Sequence, residues 1–483
     1  MIAIFIGYLV LTFGLGIWQA LRTRSQADFV LGSSQLPGWM LALSERATGE
    51  SAWLLLGFTG FIYANGLSGV WIGVGCLTGI SSAWIILARK FRAEAEKYGA
   101  MTMPEYFSAK FPRNADTIRV LSTLIIVFFF VFYVGAQFAG AGKTIFVTFG
   151  LDPFWGQIIA AVVILGYASF GGFISVVAVD TFQAILMIIT LVVAPIVMLA
   201  KVLGGPVSIP QALAAAGGGM DSLTGGVAGF AAGVLIFNNF AWFFGYLGGQ
   251  PQLNARFMGM RDDRQVKIGR NIGVAWTILA YAGAILIGLC SLVLFGPKAF
   301  SDTEMVLPHA LNQLFPWWLA GILLAGAVAA MVSTAESMLI LAGSSISQDV
   351  YNGLIKKGKA SDKTLLNLSR AATLVVGVLG LVLALTTTDL IYKIVSYAWA
   401  GIGCSFAPAV LLSFYWRRFG SRGVVTALLT GLVTTVVWIS TGLDRHVTAM
   451  AVTFFVSIGA AVVVTLFTPD ETNVEHRTPN AER

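Results

Sequence analysis

Residues 43–57, LSERATGESAWLLLG, decide how this chain folds. They belong to an apolar segment, yet they include three charged side chains, Glu45, Arg46 and Glu50. A charge at the centre of a bilayer costs roughly 2.5 to 3.5 kcal/mol even on lenient insertion scales, so it normally faces a partner or a water-filled cavity. Gly49 and the neighbouring hydroxyl residues favour local backbone bonding over a regular helix. The stretch therefore predicts a broken membrane helix, a structure that commonly binds ions and solutes.

The composition is that of a polytopic membrane protein. Of the 483 residues, 57% are hydrophobic and 11% are charged, and the mean hydropathy is +0.82. Ordinary soluble domains have about 25% charged residues. Cys76, Cys290 and Cys404 lie in apolar segments without metal-site spacing, which favours packing thiols over disulfides. The three histidines are too scattered for a catalytic or metal cluster, so an enzyme is the least favoured class.

Thirteen apolar segments are long enough to cross a bilayer, which takes about 20 residues. They are residues 2–21, 38–63, 68–88, 120–147, 154–173, 180–201, 225–249, 271–296, 316–346, 366–387, 389–415, 421–441 and 448–467. We number them as spans 1 to 13.

The basic residues of the connecting loops predict the orientation, because Lys and Arg concentrate on the cytoplasmic side. One side holds 24 of the 30, in loops such as 89–119, 256–270 and 356–370, and the other side holds five. The amino terminus is therefore expected outside, and residues 468–483 form a cytoplasmic tail. Topology also explains the net charge of +7, so no nucleic-acid partner is expected.

A second irregular span covers residues 237–251, FNNFAWFFGYLGGQP. One interpretation is a tightly packed helix, since small residues let membrane helices approach closely. The other is a second broken helix. This span is number 7 and the first broken span is number 2, and a separation of five is what an inverted five-plus-five repeat requires.

Span 9 contains a small and polar stretch, residues 326–349. Ala330, Ser333 and Thr334 lie at i, i+3 and i+4, on one face of a helix. One carbonyl and two hydroxyl oxygens on that face suit a hard monovalent cation. Hydrogen bonding between helices is the alternative interpretation of the same residues.

Several stretches resemble the sodium/solute symporter family, and within it the bacterial proline-transporting members. They are LGSSQLPGWMLALS at 31–44, TMPEYF at 102–107, GGF followed by VDTFQAILM within 171–187, GQPQLNARFM at 249–258, and MVST at 331–334. The resemblance implies an all-α, leucine-transporter-like fold with about 13 transmembrane helices. Residues 1–467 would form one transporter domain, with inverted repeats at about 38–201 and 225–415.

The resemblance also implies two sets of site residues. The sodium site would use backbone carbonyls of Ala47 and Glu50 together with Ala330, Ser333 and Thr334. The solute site would use Gly49, Ser51, Trp53, Gly57, Tyr133, Gln137, Trp242, Phe243 and Tyr246.

The sequence departs from the proline-transporting pattern in the first broken span and in span 7. Gly49 stands where those members carry an aspartate, and Glu50 follows it. In span 7, Trp242 and Tyr246 come one residue before the family's Trp and Tyr, which puts Phe243 at one of those positions. An amino acid or related small carboxylate is favoured over a sugar.

A second cation position is used by some relatives, and the resemblance extends it to Asp180, with Glu336 and Ser337 opposite. A structural hydrogen-bonded pair is the alternative, and it is favoured over a second sodium.

Arg46 has two candidate roles. It could bind the carboxylate of the solute, or it could pair with a neighbouring acid and hold the break open. In a regular helix Glu50 shares the face of Arg46, whereas the adjacent Glu45 points elsewhere. The structural pair is favoured, because a free cation beside a sodium site would repel the ion.

These observations predict a sodium-coupled symporter of the inner (plasma) membrane that imports a small solute, proline or a related amino acid. The expected partners are sodium, the solute and the lipid bilayer. One alternative is a proton-coupled transporter of amino acids or small carboxylates, with Glu45, Glu50, Asp180 or Glu336 as carriers. A second is a membrane solute sensor.

Overall fold

The computed structural model describes residues 2–20, 36–169 and 172–468. Within these residues the regular structure is helical, apart from one isolated bridge between Leu36 and Met260. Arg22, Arg24 and residues 469–483 of the expected cytoplasmic tail lie outside the described residues, as do most of residues 31–38 and the start of the GGF motif.

The α-helices are numbered in chain order. The first ten are α1 (Ile2–Ala20), α2 (Gly38–Gly49), α3 (Thr59–Asn65), α4 (Val70–Ser82), α5 (Ala88–Tyr98), α6 (Met103–Lys110), α7 (Ala115–Phe149), α8 (Pro153–Ala168), α9 (Phe173–Leu203) and α10 (Ile209–Ala216). The next ten are α11 (Gly229–Phe240), α12 (Trp242–Tyr246), α13 (Pro251–Met258), α14 (Asp263–Phe295), α15 (Val306–Leu314), α16 (Trp317–Ser344), α17 (Asp362–Thr386), α18 (Ile391–Tyr415), α19 (Ser421–Ser440) and α20 (Ala449–Phe467). π-Helical segments cover Trp53–Phe58, Ala83–Leu87 and Ser345–Ile355, and short 3-10 turns cover Gly66–Gly69, Pro112–Asn114, Thr303–Met305 and Leu443–Arg445.

In the described part of the chain, nine helices are long and apolar enough to cross a membrane, or ten if the bent span 7 counts as one. Shorter apolar helices cover Ala3–Leu15 and Pro153–Gly166, the places of expected spans 1 and 5. The count of thirteen stays a prediction.

The chain reverses direction at Gly66, where φ is +63°. A Cβ on Gly73 would lie 3.4 Å from the ring of Phe58, and one on Gly69 would lie 2.7 Å from Ile62. Residues 58 and 73 would be more than about 20 Å apart in one continuous helix, given a rise of 1.5 Å per residue. Residues on the two sides of Gly66 therefore pack against each other as a hairpin, in agreement with the separation of spans 2 and 3.

Close backbone approach joins α9 to two other helices. Helix α9 packs between α14 and α16. A Cβ on Gly283 of α14 would lie 1.8 Å from the carbonyl oxygen of Leu191, and one on Gly326 of α16 would lie 2.2 Å from Thr190 Oγ1. Small residues at helix crossings permit this packing in membranes, where association depends on van der Waals contact.

Burial separates central helices from peripheral ones. In the most apolar windows of α16 and α18, 83% of the residues are buried, against 33% for α19 and 39% for α20. Helices α16 and α18 are therefore surrounded by other helices, whereas α19 and α20 have one face toward the membrane.

The loops gather at two ends as the alternation of basic residues predicts. At one end Arg92 contacts Asp263 at 3.1 Å, and Lys110 contacts both Glu94 at 2.6 Å and the carbonyl oxygen of Ser413 at 2.8 Å. These residues come from loops that the basic-residue count assigns to the cytoplasm. Which end faces the cytoplasm stays a prediction.

At the opposite end, the 3-10 turn Thr303–Met305 joins three parts of the fold through Glu304. Its Oε1 accepts from the backbone N–H of Tyr392 at 2.8 Å, and its Oε2 accepts from that of Ile391 at 3.0 Å. The Lys143 ammonium of α7 lies 2.6 Å from Oε2. The turn also covers α3, because a Cβ on Gly60 would lie 2.5 Å from the carbonyl oxygen of Thr303.

Single cysteines introduced at Arg261 and Lys359, which are exposed, should react with a membrane-impermeant maleimide only when the cytoplasmic side is accessible. A cysteine at Asp221, exposed at the opposite end, is the matched control and should react in intact cells. The native Cys76, Cys290 and Cys404 are buried, so background labelling should be low. Labelling at position 261 or 359 in intact cells would show that the orientation is opposite to the predicted one.

Candidate functional site

The site is built around the interruption after α2. Glu50 ends this helix with φ −110° and ψ 51°, and helical bonding resumes when the Leu54 N–H donates to the Ser51 carbonyl at 3.1 Å. The Ala52 N–H, left without a partner in its own helix, donates to Gln137 Oε1 of α7 at 2.9 Å. The break predicted from the sequence is therefore present, and a side chain from another helix accepts the hydrogen bond of a backbone N–H that the break leaves free.

Span 7 is interrupted as well. The helices Gly229–Tyr246 and Pro251–Met258 meet at an angle of 43°. Gly248, at the bend, has φ +74°, a conformation that glycine adopts without strain. The freed Gly248 carbonyl accepts from Asn254 Nδ2 at 2.8 Å.

Oxygen atoms from span 9 converge on the first break. Ser333 Oγ donates to the Ala47 carbonyl at 2.9 Å and also lies 3.2 Å from the Ala330 carbonyl. Thr334 Oγ1 donates to the carbonyl of Thr48 at 2.9 Å. The four predicted sodium ligands Ala47, Ala330, Ser333 and Thr334 are all fully buried. The donor set consists of neutral oxygens, which fits a hard cation such as sodium.

The fifth predicted sodium ligand, the carbonyl of Glu50, lies just beyond this group, at the end of α2. Thr48, whose carbonyl Thr334 contacts, was not expected in the set. The alternative interpretation, hydrogen bonding between helices, describes the same contacts, and the sodium assignment stays a prediction.

Most predicted solute residues meet on the other side of the break. Ser51 Oγ and Tyr133 OH are 3.0 Å apart, and the rings of Trp53 and Trp242 stack at 4.1 Å. Tyr246 OH donates to the Gly49 carbonyl at 3.1 Å and accepts from Trp53 Nε1 at 3.3 Å. Gln137 Nε2 donates to the Tyr133 carbonyl at 3.2 Å, so seven of the nine predicted residues make direct contacts with another member of the set.

The remaining two lie apart. A Cβ on Gly57 would lie 3.1 Å from Tyr392 Cβ, so this glycine lets α18 approach the span. The ring of Phe243 stacks on Phe240 of its own span, and its carbonyl oxygen lies against Gly79 of α4. The shift of the span-7 aromatic residues thus directs Trp242 and Tyr246, rather than Phe243, toward Trp53.

Three aromatic residues that sequence reasoning missed complete this cluster. Tyr281 OH donates to Tyr246 OH at 3.2 Å, Tyr392 OH accepts from Trp242 Nε1 at 3.3 Å, and the ring of Trp399 lies 4.0 Å from that of Tyr246. Tyr281 comes from α14, and the other two come from α18. In an apolar helix an aromatic residue gives no signal of its own, so only the packing of spans 8 and 11 identifies them.

The charges of the first break form one buried cluster. Arg46 Nη1 lies 2.8 Å from Glu50 Oε1 and 3.3 Å from Thr277 Oγ1, while its Nε and Nη2 face the two carboxylate oxygens of Glu45. Trp84 Nε1 also donates to Glu45 Oε2 at 3.1 Å. The expectation that Glu45 points elsewhere is wrong, because the guanidinium folds back onto its neighbour. The structure pairs Arg46 with both acids.

The proposed second cation position contains a guanidinium. Arg256 Nη2 lies 3.0 Å from Asp180 Oδ2, 2.6 Å from Ser337 Oγ and 3.0 Å from Thr48 Oγ1. Asp180 also interacts with Glu336. The structural hydrogen-bonded network is therefore present in the described residues, and a second sodium at this position stays a prediction.

Arg256 itself differs from the sequence expectation. It was counted among the basic loop residues, yet it lies in α13 and is only 2% exposed. The stretch 249–258 gave no sign of this, because its helix begins after a bend that positions Arg256 toward Ser44 and Asp180.

A model of the sodium:solute symporter family matches residues 29–431. The chain belongs to this family. Its sequence is 32% identical to the osmoregulated proline transporter OpuE of Bacillus subtilis, over 97% of this chain and 95% of that protein. It is 33% identical to the high-affinity proline transporter PutP of the same organism, over 94% of this chain and 95% of that protein.

A solved structure of a Na+-coupled sialic acid symporter has the same fold. The TM-score is 0.81 with 18% identity, and the match covers 97% of this chain and 98% of that one. The predicted all-α, leucine-transporter-like fold is confirmed. As a sodium:solute symporter family member, the chain is a multi-pass membrane transporter and not an enzyme.

Replacing Arg46 by glutamine in this family member should destabilise the protein, because Glu45 and Glu50 would remain buried without their cation. Breaking a buried pair from one side costs roughly 3 to 5 kcal/mol, so the protein level and the melting temperature in detergent should both fall. The triple variant with Glu45→Gln and Glu50→Gln buries no charge here and should recover most of the loss. Arg445→Gln, at an exposed position, is the control. An Arg46→Gln protein of normal stability whose only defect is solute affinity would instead identify Arg46 as a solute ligand.

Proposed function

We propose that this chain couples inward sodium movement to the uptake of a small amino acid, with proline as the first candidate. The observation that carries the proposal is the contact between the Ser333 and Thr334 hydroxyls and the carbonyls of Ala47 and Thr48. These contacts join span 9 to the break in span 2. The residues that follow the break face the aromatic cluster, so one interrupted segment serves both the ion and the solute.

The geometry supports a direct coupling route. A sodium ion held by the Ala47 and Ala330 carbonyls and the two hydroxyls would fix the end of α2 against α16. The Gly49 carbonyl, two residues after Ala47, accepts from Tyr246. Fixing α2 therefore fixes the position of span 7 relative to the break. If sodium and solute both favour this arrangement, each raises the affinity for the other by the same factor.

The lining favours a small solute with both polar and apolar parts. Ser51 and Tyr133 offer hydroxyl groups, and Trp53 and Trp242 offer flat apolar surfaces. Small-molecule sites are commonly built from aromatic walls and a few placed polar groups. The names of the relatives OpuE and PutP support proline, while Gly49 at the aspartate position favours a related amino acid.

The proposed location is the plasma membrane, with the amino terminus outside and the carboxyl terminus in the cytoplasm. The gathering of basic loops at one end supports this orientation. The driving ion would then enter from the end covered by Glu304.

Purified protein in liposomes tests the proposal. With a panel of labelled amino acids and small carboxylates, we expect proline or a related amino acid to accumulate only when an inward sodium gradient is imposed. Accumulation driven by a pH gradient without sodium would favour proton coupling instead. Sodium-dependent binding without accumulation would favour a solute sensor.

Ser333→Ala and Thr334→Ala should each raise the apparent sodium constant for uptake, by about tenfold or more, because each removes one oxygen from an ion with few protein ligands. The apparent solute constant at saturating sodium should change much less. Sodium titration of uptake in liposomes measures both. Ser344→Ala, another buried hydroxyl near the end of the same helix, is the matched control. Unchanged sodium dependence in both variants would remove these residues from the sodium site.

A further inference from the structure

Glu50 has one carboxylate oxygen engaged and one without a partner. Its Oε1 lies 2.8 Å from Arg46 Nη1. Its Oε2 is buried and accepts no hydrogen bond from any residue that the structure describes, and the side chain is 0% exposed. Leaving a buried charged acceptor unsatisfied is costly. The geometry therefore calls for a donor at this position.

The neighbouring hydroxyl groups make their closest hydrogen bonds to other atoms, although Tyr281 also interacts with the Glu50 side chain. Tyr281 donates to Tyr246, and Tyr246 in turn donates to the Gly49 carbonyl. The hydroxyls of Ser51 and Tyr133 pair with each other at 3.0 Å. The Ser51–Tyr133 contact uses only one of the two hydroxyl hydrogens, but neither hydroxyl makes a hydrogen bond to Glu50 Oε2.

The surroundings favour a positively charged donor. Glu45, Arg46 and Glu50 form a buried group of two carboxylates and one guanidinium, which leaves an excess of one carboxylate. The aromatic cluster begins next to this group, because the carbonyl of Gly49, the residue before Glu50, accepts from Tyr246 OH at 3.1 Å. Aromatic faces attract cations through their quadrupole, and this attraction strengthens when water is excluded.

We propose that Glu50 Oε2 accepts a hydrogen bond from the protonated amine of the solute and thereby selects amino and imino acids over plain carboxylates. This inference rests on the proposed function and assigns the group that determines its specificity. Glu50 is a solute-binding residue through its side chain, whereas the predicted sodium ligand at this position is its backbone carbonyl. The two roles can therefore be separated by substitution.

Glu45 provides a matched control. Glu45→Gln and Glu50→Gln each remove one carboxylate from Arg46 and leave the other as its partner. Both carboxylate oxygens of Glu45 are already engaged by Arg46, and Trp84 adds a further hydrogen bond. Only Glu50→Gln removes the charge from the unpartnered oxygen.

The experiment compares proline with tetrahydro-2-furoic acid, in which an ether oxygen replaces the ring amine, as competitors of labelled proline uptake in liposomes. The wild-type protein should prefer the amine by about a hundredfold or more. Glu50→Gln should reduce that preference by roughly ten- to a hundredfold, the range expected for a hydrogen bond to a charged group. Glu45→Gln should retain the preference, and the apparent sodium constant of Glu50→Gln at saturating solute should stay near that of the wild type.

Several results would overturn the inference. Equal competition by the two compounds in the wild type would do so without any variant, even if Glu50→Gln failed to fold. An equal loss of preference in Glu45→Gln and Glu50→Gln would show that the preference depends on the total charge of the cluster and not on a hydrogen bond to Glu50 Oε2. A raised sodium constant in Glu50→Gln with intact amine preference would assign Oε2 to the ion. Failure of the wild type to accumulate any solute with sodium would reject the proposed function itself and is seen before the variants are compared.

Discussion

The loss of helical hydrogen bonding between Gly49 and Trp53 is the constraint on which the rest of the structure depends. Inside a bilayer no solvent is available to satisfy the freed backbone groups, so the protein must do so. The Ala47 and Thr48 carbonyls accept from Ser333 and Thr334, and the Ala52 N–H donates to Gln137. Helices α7 and α16 are therefore required neighbours of this segment, and their burial follows from that requirement.

The two broken spans are also tied to each other through buried charge. Arg256, which follows the bend in span 7, donates to Ser44 Oγ at 3.1 Å and to Thr48 Oγ1 at 3.0 Å, both in α2. Its ion pair with Asp180 brings α9 into the same contact. Arg46 in turn pairs with Glu45 in α2 and with Glu50 at the end of that helix. Each break thus has its own guanidinium, and the charges that make the segments costly in a membrane also hold them in place.

Much of this arrangement was readable from the sequence, because backbone breaks and hydroxyl faces leave local signals. The polar run at residues 47–51 predicted the first break. The i, i+3, i+4 spacing of Ala330, Ser333 and Thr334 predicted one oxygen-bearing face of span 9, and the family resemblance placed that face beside the break. The alternation of basic loops predicted which loops share an end. These features depend on neighbours in the chain or on rules that apply to every membrane protein.

The missed features depend on contacts between distant segments. Tyr281 and Trp399 look like ordinary apolar residues until α14 and α18 are placed beside Tyr246. Arg256 looks like a loop cation until the bend at Gly248 directs it inward. The contact between Arg46 and Glu45 depends on how the arginine side chain is rotated, because adjacent residues of a regular helix point in different directions. A resemblance between sequences transfers positions, but it does not transfer the direction of each side chain.

The carboxylate of Glu304 links the turn that carries it to several helices at one end of the molecule. One side chain bonds two successive N–H groups at the start of α18 and the ammonium of α7, and the turn that carries it lies over α3. Lys143 also contacts Asp302, at the start of the same turn, at 2.8 Å. Displacing the turn would therefore break several polar contacts of α7 and α18 together, so the position of this turn and the positions of those two helices are energetically linked.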